Sequence, residues 1–132
     1  MIHEPAASAW CKWENSVLVT TPGHTPNPRW GDSLFRLRFA KLVTHYWTSL
    51  AWLPDGQILK NLSRLADIPA ILIHGRLNFG SPLKTAFQLN QAWPGSRLIV
   101  VEDGGHDSSA PNMASRIVEA VHSIQLIQSE FD

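Results

Sequence analysis

The sequence has little of several things, and each shortage removes a class of protein. There is one cysteine in 132 residues, Cys11. No internal disulfide framework can form, and the usage fits a reducing compartment. No apolar run approaches the roughly 20 residues that cross a bilayer, and no basic-then-apolar leader is visible. The cytosol is the expected location, and no membrane partner is expected. Charge is scarce and balanced: 17% of residues are charged, 11 Lys+Arg against 11 Asp+Glu. Without a basic stripe, nucleic acid is not the expected partner. His3, His24, His45 and His122 show neither H-x-x-x-H nor Cys/His spacing, so no metal is expected. Gly75, Gly80, Gly104 and Gly105 do not spell a dinucleotide or phosphate loop, so no cofactor is expected. Repeats and low-complexity tracts are also lacking.

What is present is a chain sized for one domain or part of one, with 44% hydrophobic residues and six tryptophans. Trp10, Trp13, Trp30, Trp47, Trp52 and Trp93 suit either a packed helical layer or a pocket wall, and core packing is expected for most of them. The organising stretch is 68–106. It holds two β-branched apolar runs, 70–73 and 98–101, around a segment, 82–93, with Leu83, Ala86, Phe87, Leu89 and Trp93 at helical spacing. Strand, helix and strand in that order read as a βαβ unit with both strands parallel and buried. Each strand runs into a polar, glycine-containing loop, the place where open α/β sheets carry chemistry. Asn78 follows the first strand and His106 the second.

Upstream the pattern is helical. A helix over 6–17, with Pro5 at its start, places Trp10, Trp13 and Val17 on one face. The stretch 20–31, with three prolines and two glycines, reads as a loop. Asp32 or Ser33 caps a helix over 33–50 whose stripe includes Leu34, Phe35, Leu37, Phe39, Leu42, Val43, Tyr46 and Trp47, wide enough to be covered on two sides. Pro54-Asp55-Gly56 is a turn, 57–65 a short helix, and 111–128 a last helix burying Met113, Ile117, Val121, Ile124 and Ile127. The expected division is 1–66, mainly helical, and 67–132, α/β.

Several separated motifs agree in order and spacing with one known family. His74-Gly75-Arg76-Leu77-Asn78 with Pro82 beyond it, and Asp103-Gly104-Gly105-His106, resemble the C-terminal part of the prolyl aminopeptidases (proline iminopeptidases), which are α/β-hydrolases. Ala9-Trp10-Cys11-Lys12-Trp13-Glu14, the run 38–47 ending in His45-Tyr46-Trp47, and Asp55-Gly56-Gln57-Ile58-Leu59 resemble that family's helical cap and its return to the sheet. The resemblance covers 6–124. It implies a partial α/β-hydrolase fold: a cap remnant, then a parallel βαβ unit and a C-terminal helix. It implies that His106 is the catalytic base, that Asn78 occupies the position of the triad acid, and that 74–76 hold the acid-bearing turn. Glu14, with the aromatic cap residues Trp13 and Tyr46, would hold the free imino group of a peptide beginning with proline, since an ammonium ion needs a charged acceptor. A second cap glutamate found in some members is replaced here by Val43.

Two departures bear on function. The family's acid is Asp, whereas Asn78 is neutral and can present the wrong histidine tautomer, a change that costs a serine protease about 10⁴ in turnover. Asp103 or Asp107 is the alternative acid. Moreover, no G-x-S-x-G nucleophile elbow occurs anywhere in the sequence; Ser81, Ser108 and Ser109 lie in loops of another kind. Two functions therefore stand open. One is the C-terminal part of a prolyl aminopeptidase-like serine hydrolase, inactive alone. The other is a stand-alone, non-catalytic interaction module, in which a two-stranded sheet with free edges leads to a homo-oligomer. The bland readings remain beside these: Asn78 as a maker of turn hydrogen bonds, Glu14 as part of a solvated helix face, and Cys11 as a small hydrophobe.

Overall fold

A computed structural model describes residues 3–18 and 25–129, with side chains in the last helix as far as Ile124. The chain forms two compact units, Met1–Lys60 and Asn61–Asp132.

The first unit is helical. Helix α1 spans His3–Leu18 and α2 spans Ser33–Thr48. Pro5 sits inside the first turn of α1 rather than ahead of it, where its missing N–H leaves no intrahelical bond unmade. The two helices pack on small residues: Ala7 and Cys11 of α1 and Ala40 of α2 are buried. Glu4 and Arg36 form an ion pair, and Arg36 Nη1 donates to the carbonyl of Trp30 at 2.7 Å. Asp32 caps α2 as expected, its Oδ1 accepting from the Leu34 N–H at 2.8 Å.

The stretch read as a loop contains a 3₁₀ turn, Pro28–Gly31, which Asn27 caps by accepting from the Arg29 N–H. Proline at its first position supplies the φ that the turn needs. Residues 20–24 of that stretch lie outside the described part. The stripe of α2 is not covered on two sides: Leu34, Leu42, Tyr46 and Trp47 are exposed. Within this unit α2 packs on α1 and on the Pro28–Gly31 turn, which cover the half bearing Phe35, Leu37 and Phe39. Nor do the tryptophans make a core, since Trp13, Trp47 and Trp52 are exposed and Trp10, Trp30 and Trp93 are half-buried.

α2 stops two residues before the expected end. Leu50, Ala51 and Trp52 then run through a tight turn with φ of 48°, 52° and 56°. Three consecutive side-chain-bearing residues in the left-handed region are costly. Two backbone bonds, Trp52 N–H to Ser49 O and Leu53 N–H to Leu50 O, hold them there. The expected helix over 57–65 is broken at Asn61 into α3, Gln57–Lys60, and a 3₁₀ turn, Leu62–Leu65; asparagine is a poor helix interior because its amide competes for backbone groups.

The second unit is a small parallel sheet with helices against it. Strand β1 is Ala70–Gly75, α4 is Leu83–Ala92, β2 is Ser96–Val101 and α5 is Pro111–Ser129. β1 and β2 pair in parallel from Ala70 opposite Ser96 to Gly75 opposite Val101. The expected βαβ unit is present, but its strands are half-buried along most of their length, with only Gly75 and Val101 buried. Two strands alone cannot enclose one another; α4 and α5 supply what cover there is. Leu62, Val101, Met113 and Ala120 form the buried core. On α5, Ile117 and Ile124 are half-buried and Val121 is exposed, contrary to expectation; Ile127 lies beyond the described side chains. The indole N–H of Trp93 donates to the carbonyls of Leu65 and Ile68, tying the entry of β1 to the end of α4. No helix among the described residues is long and apolar enough to cross a membrane.

Candidate functional site

The geometry that brings chemistry together begins with glycine. At the ends of β1 and β2 the chain segments come so close that a Cβ on Gly75 would fall on the carbonyl oxygens of Gly104 and Gly105. Only a residue without a side chain permits this approach. Backbone bonds then lock the two loops together: Arg76 N–H to Val101 O and Leu77 N–H to Gly104 O, both at 2.9 Å. Arg76 and Glu102 form an ion pair across the same seam. The hydrogen bond from Arg76 holds the Glu102 carboxyl below its ordinary value of 4.5. This tie is present at neutral pH and is lost as the pH falls through that lowered value; both groups are exposed, so its contribution is small and screened by salt.

Asn78 and His106 meet across this seam. His106 Nδ1 lies 3.1 Å from Asn78 Oδ1, 28 residues apart in sequence. His106 is exposed and Asn78 half-buried. The same Oδ1 accepts the backbone N–H of Ser81 at 3.0 Å. That second bond assigns the amide: with the Ser81 N–H fixed, the oxygen must face it, because the reverse orientation would set a donor against a donor. A neutral His106 ring making this contact carries its proton on Nδ1 and a lone pair on Nε2. In this arrangement Asn78 presents its amide oxygen, not its NH2 group, to His106. Such an imidazole can accept a proton at Nε2; what the neutral amide lacks is the negative charge that steadies the imidazolium formed afterwards.

The other candidate residues have contacts of their own, each within its unit. Asp107 Oδ1 accepts from the Ser109 N–H at 2.8 Å and from its hydroxyl at 2.6 Å, which makes it the anchor of the turn into α5. The backbone carbonyl of Asp103 accepts from the Asn112 amide at 3.0 Å. Glu14, Trp13 and Tyr46 lie in the helical unit. Glu14 is half-buried. Trp13 is 50% exposed and Tyr46 48% exposed. Trp13 packs on Trp10 at 5.5 Å, which in turn meets Trp47 edge-on at 5.7 Å. Tyr46 belongs to a second cluster with Trp52 and His45. Among the described residues no ring contact joins Trp13 to Tyr46. No group of three His, Cys, Asp or Glu side chains among the described residues could hold a metal ion.

Sequence reasoning missed the part of Ser81, played by its backbone N–H; it placed His74 at the acid-bearing turn, but not its 2.8 Å contact from Nε2 to Ser81 O. A partial signal was there: asparagine in a loop readily bonds nearby backbone N–H groups through its side chain.

No protein-family model matches the chain. Among curated proteins it is 38% identical over 111 residues to a probable proline iminopeptidase of Streptomyces coelicolor, covering 81% of this chain and 34% of the relative. It is 31% identical over 120 residues to the proline iminopeptidase of Arabidopsis thaliana, covering 90% of this chain and 32% of the relative. The Neisseria gonorrhoeae proline iminopeptidase is 32% identical over 120 residues, again 90% of this chain and 37% of the relative. The chain spans about a third of the length of the curated relatives it matches.

Proposed function

The chain belongs to the proline iminopeptidase (prolyl aminopeptidase) family, whose C-terminal portion it matches, and on that premise we propose that it is the base-bearing part of a serine hydrolase that releases N-terminal proline from peptides. The observation that carries this reading is the His106 Nδ1 to Asn78 Oδ1 contact of 3.1 Å across two adjacent parallel strand ends. In an α/β-hydrolase this is where the acid position and the histidine converge. His106 Nε2 would take the proton of a serine hydroxyl as that oxygen attacks the prolyl carbonyl, then return it to the leaving amine. Glu14, with Trp13 and Tyr46 as aromatic cap residues, would hold the substrate's imino group as a charge-assisted pair. The serine and its G-x-S-x-G elbow are not in this sequence, so the 132 residues alone would supply a base and part of a pocket but no nucleophile.

The test has two arms. The purified chain should not hydrolyse a prolyl arylamide. Mixed with, or fused to, the N-terminal portion of a proline iminopeptidase that carries the elbow, it should do so, and His106→Ala should remove that activity. Hydrolysis by the chain alone, or full activity with His106→Ala, would overturn the assignment.

A second reading, a non-catalytic interaction module, is favoured by a different observation. Among the described residues the sheet consists of β1 and β2, so each strand has one edge with no partner strand, and the second unit exposes Ile68, Phe79, Phe87, Val118 and Val121. In this reading the chain works as an oligomer of itself.

A further inference from the structure

We propose that His74 is a positioning residue for His106, acting through the backbone of Ser81, and that the two histidines are held in opposite tautomers. This rests on the reading of His106 as a proton acceptor, but its observable is the proton itself and not catalysis.

Three contacts form one continuous chain. His74 Nε2 lies 2.8 Å from the carbonyl oxygen of Ser81. The N–H of the same Ser81 lies 3.0 Å from Asn78 Oδ1, and that oxygen lies 3.1 Å from His106 Nδ1. A carbonyl oxygen can only accept, so His74 must carry its proton on Nε2. Asn78 Oδ1, already facing an N–H, must accept again from His106, which must carry its proton on Nδ1. One residue's peptide groups thus separate two imidazoles and oblige them to differ.

The consequence lies in what each link is needed for. Asn78 has an oxygen and an NH2 group that could face His106, and nothing in its own side chain chooses between them. The Ser81 N–H makes the choice, but Ser81 lies in an exposed loop just after Gly80 and before Pro82, where a backbone N–H is not held by any ladder. His74 sits on β1, opposite Val100 of β2, and so anchors that loop to the sheet. Remove the His74 donor and Ser81 is free to turn, the Asn78 amide is free to flip, and His106 is released to exchange between tautomers. An aspartate at position 78 would need no such arrangement, since both its oxygens accept. The dependence on His74 belongs to the asparagine.

The experiment is long-range ¹H–¹⁵N correlation spectroscopy on the uniformly labelled 132-residue chain at a pH where both rings are neutral. The wild type should show His74 protonated on Nε2 and His106 protonated on Nδ1, each as a single tautomer. His74→Gln, which keeps a terminal N–H donor, should preserve the His106 pattern. His74→Phe, which keeps a ring and removes the donor, should turn the single His106 tautomer into a mixture while the β1 and β2 backbone amide signals stay in place. Either histidine found in the reverse tautomer in the wild type overturns the proposal, and that result does not depend on any variant folding. A single Nδ1–H tautomer of His106 in folded His74→Phe overturns it as well. Failure of prolyl-arylamide hydrolysis in the complemented enzyme would leave these tautomers untouched, so the two readings fail separately.

Discussion

At the scale of single residues, Asn78 concentrates the problem. A carboxylate there would both orient the imidazole and offset its charge; the amide does the first only. Because Ser81 holds the amide oxygen towards His106, the loss relative to aspartate should fall short of the ~10⁴ that the opposite tautomer costs a serine protease. Asn78→Asp, in the complemented enzyme, should therefore raise turnover by well under that factor and leave KM nearly unchanged, as steady-state kinetics would show. A gain of the full factor would mean that the amide oxygen is not held. Cys11 makes a contrasting case. Its side chain is 2% exposed, and burial raises its pKa above the ordinary 9.0, against the lowering by Arg36 and with a smaller push from Glu14. A thiol with little thiolate and no access is a poor nucleophile. Iodoacetamide at pH 7.5 should modify Cys11 slowly in the native chain and at the rate of a free thiol once the chain is denatured; equal rates would contradict its burial. Both residues are visible in the sequence as types, and His106 and Asn78 as a pair through their loops. What the sequence could not disclose is which way an amide faces, because that is decided by a backbone N–H whose direction depends on the fold.

Among the described elements, periodicity located α1, α2, α4, α5 and the strands β1 and β2, since apolar spacing reports which face seeks cover. It failed where local chemistry outweighs spacing. The 3₁₀ turn at Pro28–Gly31 is made by Asn27 and Pro28, and the break of the 57–65 helix falls at Asn61, a residue type that is a poor helix interior. It also overstated burial. The stripe of α2 and the outer positions of α5 are apolar but exposed, for a pattern says what a face could bury and not whether a neighbour exists. The turn at Leu50–Trp52 is the sharpest misfit between residue type and backbone. Ala51 has φ 52° and ψ 22°, where a Cβ costs about 1 kcal/mol that glycine escapes. Ala51→Gly should raise the unfolding free energy by up to about 1 kcal/mol, measured by urea titration. A loss of stability would mean that the wider freedom of glycine in the unfolded chain outweighs the relief.

At the scale of the whole molecule, the sequence had much to say about ancestry and less about present behaviour. Its motifs lead to a family, yet 132 residues span about a third of the relatives' length. The exposed apolar side chains, Leu50 at 77% the most extreme, exceed what scattered surface leucines require. Purified alone at tens of micromolar, the chain should run as a dimer or larger species in sedimentation or light scattering. Association through apolar surface should tighten with sulfate and respond little to moderate sodium chloride. A monodisperse species of 14.7 kDa at that concentration would count against the interaction-module reading.

The meeting of Gly75 with the carbonyls of Gly104 and Gly105 also has a genetic consequence. Every missense change in a glycine codon adds at least one carbon, and here the first carbon already collides with main chain that has no rotamer to move. Overpacking of this kind costs about 1–3 kcal/mol even where side chains can yield. Gly75→Ala should therefore be destabilising by at least that much and should part the loops that bring Asn78 to His106. In a saturation library screened for folded protein, position 75 should be nearly empty of substitutions, while position 31, where an added Cβ meets nothing within 4 Å, should accept many. Measured that way, heredity would read as intolerance at one codon what the backbone shows as a lack of room.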